Sequence, residues 1–65
     1  MITQKIIKHL LDNHLTTKVV LAYDMGVTPY TITNWLNGRN EMSPTKLLNL
    51  CKTYGLDIND FQDDD

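Results

Sequence analysis

The amino-acid sequence predicts an all-α protein, a compact bundle of about five short helices. Apolar residues recur at intervals of three and four positions, which is helical spacing, and no stretch alternates as a strand does. Proline follows a hydroxyl residue at 28–29 and at 43–44, and glycine follows apolar stretches at 26, 38 and 55. A hydroxyl residue before proline typically begins a helix, and glycine typically ends one. These observations predict the number and order of the helices.

The first two helices are expected within the first 24 residues. The first carries an apolar stripe at helical spacing, formed by Ile2, Ile6, Ile7, Leu10 and Leu11. Thr3 or a neighbouring residue is expected to cap its start. The polar side chains off the stripe are expected to face water: Lys5, Lys8, His9 and Asp12. Residues 13–17 favour a turn, and Thr16 or Thr17 is expected to cap a second helix over about 17–24.

A third helix is expected after Gly26, which ends the second helix because glycine adopts the left-handed conformation without a side-chain penalty. Thr28 is expected to cap this third helix over about 29–37. Pro29 takes its first position, where the missing N–H costs nothing. Gly38 is expected to end the helix.

The second hydroxyl–proline pair predicts a fourth helix, which begins after Ser43 and runs to Tyr54. Its apolar face is expected to consist of Leu47, Leu48, Leu50, Cys51 and Tyr54. Asp57 is expected to cap a short fifth turn over 58–61. The two large apolar residues of that turn would close the core.

Charge is distributed unevenly along the chain. Residues 1–56 carry six basic and three acidic side chains, a net charge of +3, whereas residues 57–65 carry five aspartates and no basic residue, a net charge of −5. We therefore expect a helical domain over residues 1–61 and an acidic tail over residues 62–65. The overall charge of −2 disfavours tight nonspecific binding to nucleic acid.

Composition argues against several functional classes. No apolar run approaches the roughly 20 residues of a membrane span, and the start does not resemble a secretory signal, so a cytoplasmic protein without a membrane partner is expected. Cys51 is the only cysteine, and His9 and His14 lack a third ligand, so no metal or other cofactor is expected. No nucleophile with a base and no phosphate-binding glycine loop is present, so we do not expect an enzyme.

The segment around Gly26 has the features of two helices that cross closely. Ala22 is small enough to sit at the crossing, and Gly26 makes the turn. One face of the third helix is apolar and fastens it to the other helices through Ile32, Trp35 and Leu36. The opposite face carries uncharged polar and aromatic side chains: Tyr30, Thr33, Asn34 and Asn37, with Pro29 at its edge.

The chain resembles the helix-turn-helix domains of the lambda-repressor and Cro type, also called XRE-like, over about residues 3–61. The resemblance rests on Ala22, Gly26, Val27, Ile32, Trp35, Gly38 and the Leu47-Leu48-x-Leu50 helix. It implies five helices, with the second and third forming the helix-turn-helix and the third entering the DNA major groove. It also implies a sequence-specific transcriptional regulator, most simply a repressor of phage or mobile-element type.

Carried over residue by residue, the resemblance implies base contacts from Pro29, Tyr30, Thr33 and Asn34. Asn34 is the best suited, because a carboxamide bonds bidentately to adenine. Thr33 and Tyr30 offer apolar contact to a thymine methyl, and Pro29 offers shape contact only. Since no Arg or Lys lies on this face, an operator rich in A·T pairs is expected.

The resemblance also implies contacts to the DNA backbone, from Thr17, Lys18, Thr28, Asn37, Arg39, Asn40 and Lys46. Lys18 stands where many members of the family carry glutamine, so a glutamine-mediated bridge between the second and third helices is not expected. Members usually bind as two-fold pairs on double-stranded DNA. A homodimer is therefore implied, formed in solution or only on the operator.

A protein-binding module of the same fold is the alternative function. In this case the polar face of the third helix or the acidic tail engages a protein partner such as another repressor. The chain would then act as an antirepressor-like protein or an antitoxin. The −5 charge of residues 57–65 and the uncharged face of the third helix favour this alternative.

Overall fold

The computed structural model describes residues 2–61, and the acidic tail expected at 62–65 lies outside the described residues. Four α-helices follow one another: α1 (Ile2–Asp12), α2 (Lys18–Met25), α3 (Pro29–Leu36) and α4 (Pro44–Tyr54). A single 3-10 turn (Ile58–Phe61) comes last, and residues 2–61 contain no strand. The all-helical fold class is confirmed, with the fifth element a 3-10 turn instead of an α-helix.

Helices α2, α3 and α4 begin at the residues that the sequence indicates, and α4 ends at the expected Tyr54. Helix α3 ends at Leu36, one residue earlier than expected, with Asn37 as its C-cap. Thr17, Thr28 and Ser43 are the N-caps of α2, α3 and α4, and the side-chain oxygen of each accepts from the backbone N–H three residues later. Gly26 ends α2 in the left-handed conformation, with φ at +69°. The Asp57 carboxylate accepts from the N–H of residue 59 at 2.9 Å and so caps the final turn.

The core lies where α3 packs against both α1 and α2. The most deeply buried apolar side chains come from all four helices: Ile6, Ile7, Leu10, Leu21, Ile32 and Leu50. No helix within residues 2–61 is both long enough and apolar enough to cross a membrane.

Cys51 is a small apolar member of this core, as its position on the apolar face of α4 predicts. Burial raises the pKa of its thiol, and the negative charge of Asp57 raises it further. Both effects keep the thiol protonated, which suits a packing role and not a nucleophile.

The expected positions of His9 and Leu48 are wrong, and of the alternatives for the cap of α1 the structure excludes Thr3 itself. Thr3 does not cap α1; it lies inside the helix, is buried, and accepts a hydrogen bond from the backbone N–H of Met42 at 3.2 Å. His9 is half-buried and meets the Phe61 ring edge-on at a centroid distance of 5.2 Å. Leu48 is 56 % exposed and is not part of the apolar face of α4.

Candidate nucleic-acid interface

Helix α3 is held rigidly from behind. Ile32 is fully buried and Trp35 is 4 % exposed, and both belong to the main core cluster. Ala22 on α2 is also buried, and its small side chain allows the close packing of α2 against α3. The Thr28 cap and Pro29 at the first helical position define where the helix starts.

The front of α3, by which we mean Pro29, Tyr30, Thr33, Asn34 and Asn37, is open to solvent to different degrees. Pro29, Tyr30 and Asn37 are exposed, whereas Thr33 and Asn34 are half-buried. The side chains of Tyr30, Asn34 and Asn37 form no hydrogen bond within residues 2–61. The structure therefore brings the four expected base-contact residues onto one surface and leaves two amide groups on it unpaired.

Thr33 is the exception on this front, because its hydroxyl is used twice. It donates to the backbone carbonyl of Pro29 at 3.2 Å and accepts from the ammonium of Lys18 at 3.4 Å. Lys18 is the first residue of α2, so this bond joins the two helices. A side-chain link from α2 to α3 thus exists without glutamine, and a cation reaches a face on which the sequence predicts none.

The start of α2 carries two of the expected backbone contacts, Thr17 and Lys18. Both are exposed, and the Thr17 hydroxyl is already occupied as the acceptor for the N–H of Val20 at 3.2 Å. The first backbone N–H groups of α2 have no partner inside the helix, and such groups attract phosphate oxygens. This end of α2 is therefore suited to an anionic ligand.

The segment that follows α3 carries three further expected contacts, Asn37, Arg39 and Asn40. All three are exposed, and the Arg39 N–H donates to the backbone carbonyl of Asn34 at 2.9 Å, which ties the segment to the end of α3. Gly38 makes the turn with φ at +76°. Lys46 is also exposed but lies on a different element, in the first turn of α4.

One positioning group was not foreseen from the sequence. The Tyr54 hydroxyl on α4 lies 3.1 Å from the hydroxyl of Thr16 and 3.1 Å from a carboxylate oxygen of Asp24. It holds a single proton, so it donates to the carboxylate and accepts from Thr16. These bonds tie α4 to Asp24 in the last turn of α2 and to Thr16, which precedes the N-cap of that helix. The sequence pattern does not predict these two hydrogen bonds, because Tyr54 is 30 and 38 residues away from its partners in the chain.

The side chains at this surface are suited to noncovalent contacts with a polar ligand. Within the described residues there is no pocket and no group of three potential metal ligands. The expected contact residues comprise hydroxyls, amides, one aromatic ring and the cations of Lys18, Arg39 and Lys46, with no carboxylate among them. Such a set matches the phosphates and base edges of a duplex.

Comparison with curated proteins and with solved structures gives no significant match. The model of one protein family, described as the Cro/C1-type HTH DNA-binding domain, matches residues 5–64. This match covers nearly the whole sequence and confirms the resemblance to lambda-repressor-like, XRE-like domains. The chain therefore belongs to the family of Cro/C1-type helix-turn-helix DNA-binding domains.

Proposed function

We propose that this protein is a sequence-specific regulator of transcription that binds double-stranded DNA, acting as a repressor of phage or mobile-element type. In this proposal α2 and α3 form the helix-turn-helix, and α3 enters the major groove. The observation that carries it is the front of α3, where unpaired polar side chains stand on a helix fixed from behind by Ile32 and Trp35. A surface that is rigid before binding loses little entropy on binding.

Base reading is assigned to four residues of the front. Asn34 bonds to N6 and N7 of an adenine, and Tyr30 and Thr33 contact thymine methyl groups. Pro29 limits how closely the start of α3 approaches the groove wall. Each good base contact contributes about 1–3 kcal/mol of discrimination between base pairs.

Phosphate binding is assigned to the surfaces on either side of this front. Thr17 and Lys18 bind at the start of α2, Thr28 at the start of α3, and Lys46 on α4. Asn37, Arg39 and Asn40 bind after α3. With about three charge-neutralising contacts per copy, the logarithm of affinity falls with the logarithm of salt concentration at a slope near −2.7, and a dimer doubles this slope.

A homodimer formed on the operator is the proposed binding unit. One copy offers too few charged contacts for tight binding to DNA. The net charge of −2 does not attract the polyanionic duplex. Two copies related by a two-fold axis would occupy half-sites about 34–36 Å apart. The family match favours this DNA-binding function over the antirepressor-like and antitoxin alternatives.

Binding to the DNA upstream of its own gene tests the proposal. We expect Asn34→Ala to lose preference between base pairs at one position, and Arg39→Ala to weaken binding to all duplexes alike. Lys46→Gln should weaken binding in the same way as Arg39→Ala. Lys52→Gln is its matched control, because Lys52 is an exposed lysine at the other end of α4 and outside the proposed interface.

Two results would contradict this function. One is a wild-type chain that shows no preference among random duplexes at low salt. The other is a pair of lysine variants, at residues 46 and 52, that weaken binding equally.

A further inference from the structure

We propose that Lys18 reads a guanine in each half-site and that Thr33 is the positioning residue that holds its ammonium for this contact. The inference rests on the proposed function and deepens it. The proposed function above assigns Lys18 to the phosphate backbone on family resemblance. The present inference replaces that assignment for Lys18 alone, because the bond between Lys18 and Thr33 brings its charge to the front of α3. The difference between a phosphate contact and a base contact is measurable.

The first argument is where the ammonium lies. Lys18 begins α2, and its side chain extends to α3 so that Nζ is 3.4 Å from the Thr33 hydroxyl oxygen. Thr33 lies on the same face of α3 as Tyr30 and Asn34, since positions three, four and seven apart share a side of a helix. The ammonium is therefore beside the residues assigned to base edges.

The second argument is that Thr33 is itself fixed. Its hydroxyl proton is donated to the Pro29 carbonyl, so the lone pairs of the oxygen are left for Lys18. Threonine has a branched Cβ, which restricts its side-chain rotamers in a helix. A lysine held by such a group gives up part of its conformational freedom before DNA arrives, and this lowers the entropic penalty of binding.

The third argument is the number of donors left over. An ammonium has three N–H groups, and Thr33 takes one. Lys18 has no other hydrogen bond or ion pair in the part of the chain that the structure describes. Two donors thus remain for a ligand that offers two neighbouring acceptors.

Guanine is the base that meets this requirement. In the major groove it presents N7 and O6 side by side, both as acceptors. Adenine pairs an acceptor with an N–H₂ donor, thymine has one acceptor beside a methyl group, and cytosine presents a donor. We therefore expect one G·C pair at a fixed place in a half-site that is otherwise rich in A·T pairs.

The test uses the full chain and the operator half-site obtained by selection from random duplexes. Affinity is measured by fluorescence anisotropy for the selected duplex, for duplexes in which each guanine is replaced by 7-deazaguanine, and for duplexes with each G·C pair changed to A·T. The proteins are wild type, Lys18→Met, Thr33→Val, the double variant and Lys46→Met. Lys18 is exposed and Thr33→Val preserves the branched shape, so both variants should fold, which thermal melts will check.

The expected pattern is specific to one position. Wild type should lose about 5- to 150-fold in affinity when that G·C pair is changed, the range for one good bidentate contact. Lys18→Met should bind the original and the changed duplex nearly equally. Thr33→Val should reduce the discrimination at that position alone, and the double variant should resemble Lys18→Met. Lys46→Met should keep the full discrimination of the wild type.

Several outcomes would overturn the inference while leaving the proposed function intact. These are a selected half-site without guanine, a Lys18→Met variant that weakens binding to every duplex equally and lowers the salt slope by about 0.9, or a Thr33→Val variant with undiminished preference for the guanine. A wild-type chain that selects no sequence at all would overturn both.

Discussion

The hydrogen bond between Thr3 and Met42 gives a sharp prediction about stability. Replacing Thr3 by valine exchanges the hydroxyl for a methyl group of similar size. Valine and threonine have similar helix propensities, so α1 itself should be little affected. The buried N–H of Met42 loses its acceptor, 3.2 Å away in the native chain, and no other group within residues 2–61 accepts its proton. An unsatisfied buried donor costs about 1–3 kcal/mol in the free energy of unfolding.

This loss should be easy to measure in so small a protein. A 65-residue domain has an unfolding entropy near 0.14 kcal/mol/K, so each kcal/mol lowers the melting temperature by about 7 °C. We therefore expect Thr3→Val to melt about 7–20 °C below wild type in a calorimetric or circular dichroism melt. Thr3→Ser keeps the hydroxyl and removes one buried methyl group, at about 1 kcal/mol.

Amide hydrogen exchange compares the two variants at the Met42 N–H itself, relative to the other core amides of the same variant. The Met42 N–H should keep its protection in Thr3→Ser and lose it in Thr3→Val, because only the second variant lacks the acceptor. The reasoning would be refuted if Thr3→Val were as stable as wild type, or if Thr3→Ser were the less stable of the two variants.

Three further predictions concern other parts of the fold. Tyr54→Phe removes both hydrogen bonds of the hydroxyl and should cost about 1 kcal/mol in a urea titration, with faster amide exchange along α2; unchanged exchange would contradict the link between α4 and α2. Gly26→Ala should cost about 1–2 kcal/mol from the left-handed backbone alone, because nothing lies within 4 Å of the added Cβ, and Gly26→Asn should cost less. Folding raises the pKa of the Cys51 thiol, so the folded state favours the protonated thiol. The free energy of unfolding should therefore carry a stabilising contribution from this thiol that is complete below the ordinary thiol pKa. That contribution should decline as pH rises through the raised pKa. Asp57→Asn should move that decline to lower pH, and an identical pH profile of stability in the variant would exclude a role for the carboxylate.

The predicted helix boundaries succeed where the signal is local. A cap at Thr28 or Ser43 acts on an N–H only three residues away, and proline at the next position restricts the backbone by itself. Glycine at the end of α2 works through its own φ angle. Each of these effects acts within one turn of helix, so the identities of neighbouring residues are sufficient to predict it.

Thr3 and His9 differ from the expectations because their partners are distant in the chain. The sequence contains no signal for the bond of Thr3 to residue 42, nor for the bond of Lys18 to residue 33. His9 looks exposed because its partner, Phe61, is 52 residues away. Tertiary packing determines these contacts. The periodicity of apolar residues does not indicate which residue of another element will contact a given side chain.

The expectation that Leu48 is buried is wrong for a different reason, which is the position of this residue around the helix axis. The buried residues of α4 are Leu47, Leu50 and Cys51, at spacings of three and one, and the next position after Leu47 points about 100° away from that row. Four leucine or cysteine residues in a stretch of five suggest a broad apolar face. Only Leu47, Leu50 and Cys51 are buried against the rest of the core.

Different residues of α3 serve the fold and the exposed surface, and this separation affects which substitutions the chain tolerates. Its fold depends on the Thr28 cap and on the anchors Ile32 and Trp35, whereas Tyr30 and Asn37 are exposed and their side chains form no hydrogen bond within residues 2–61. Substitutions at such exposed sites usually alter stability by less than about 0.5 kcal/mol. Under the proposed function, exchanging such exposed residues would alter which DNA sequence is bound while the scaffold that carries them stays the same.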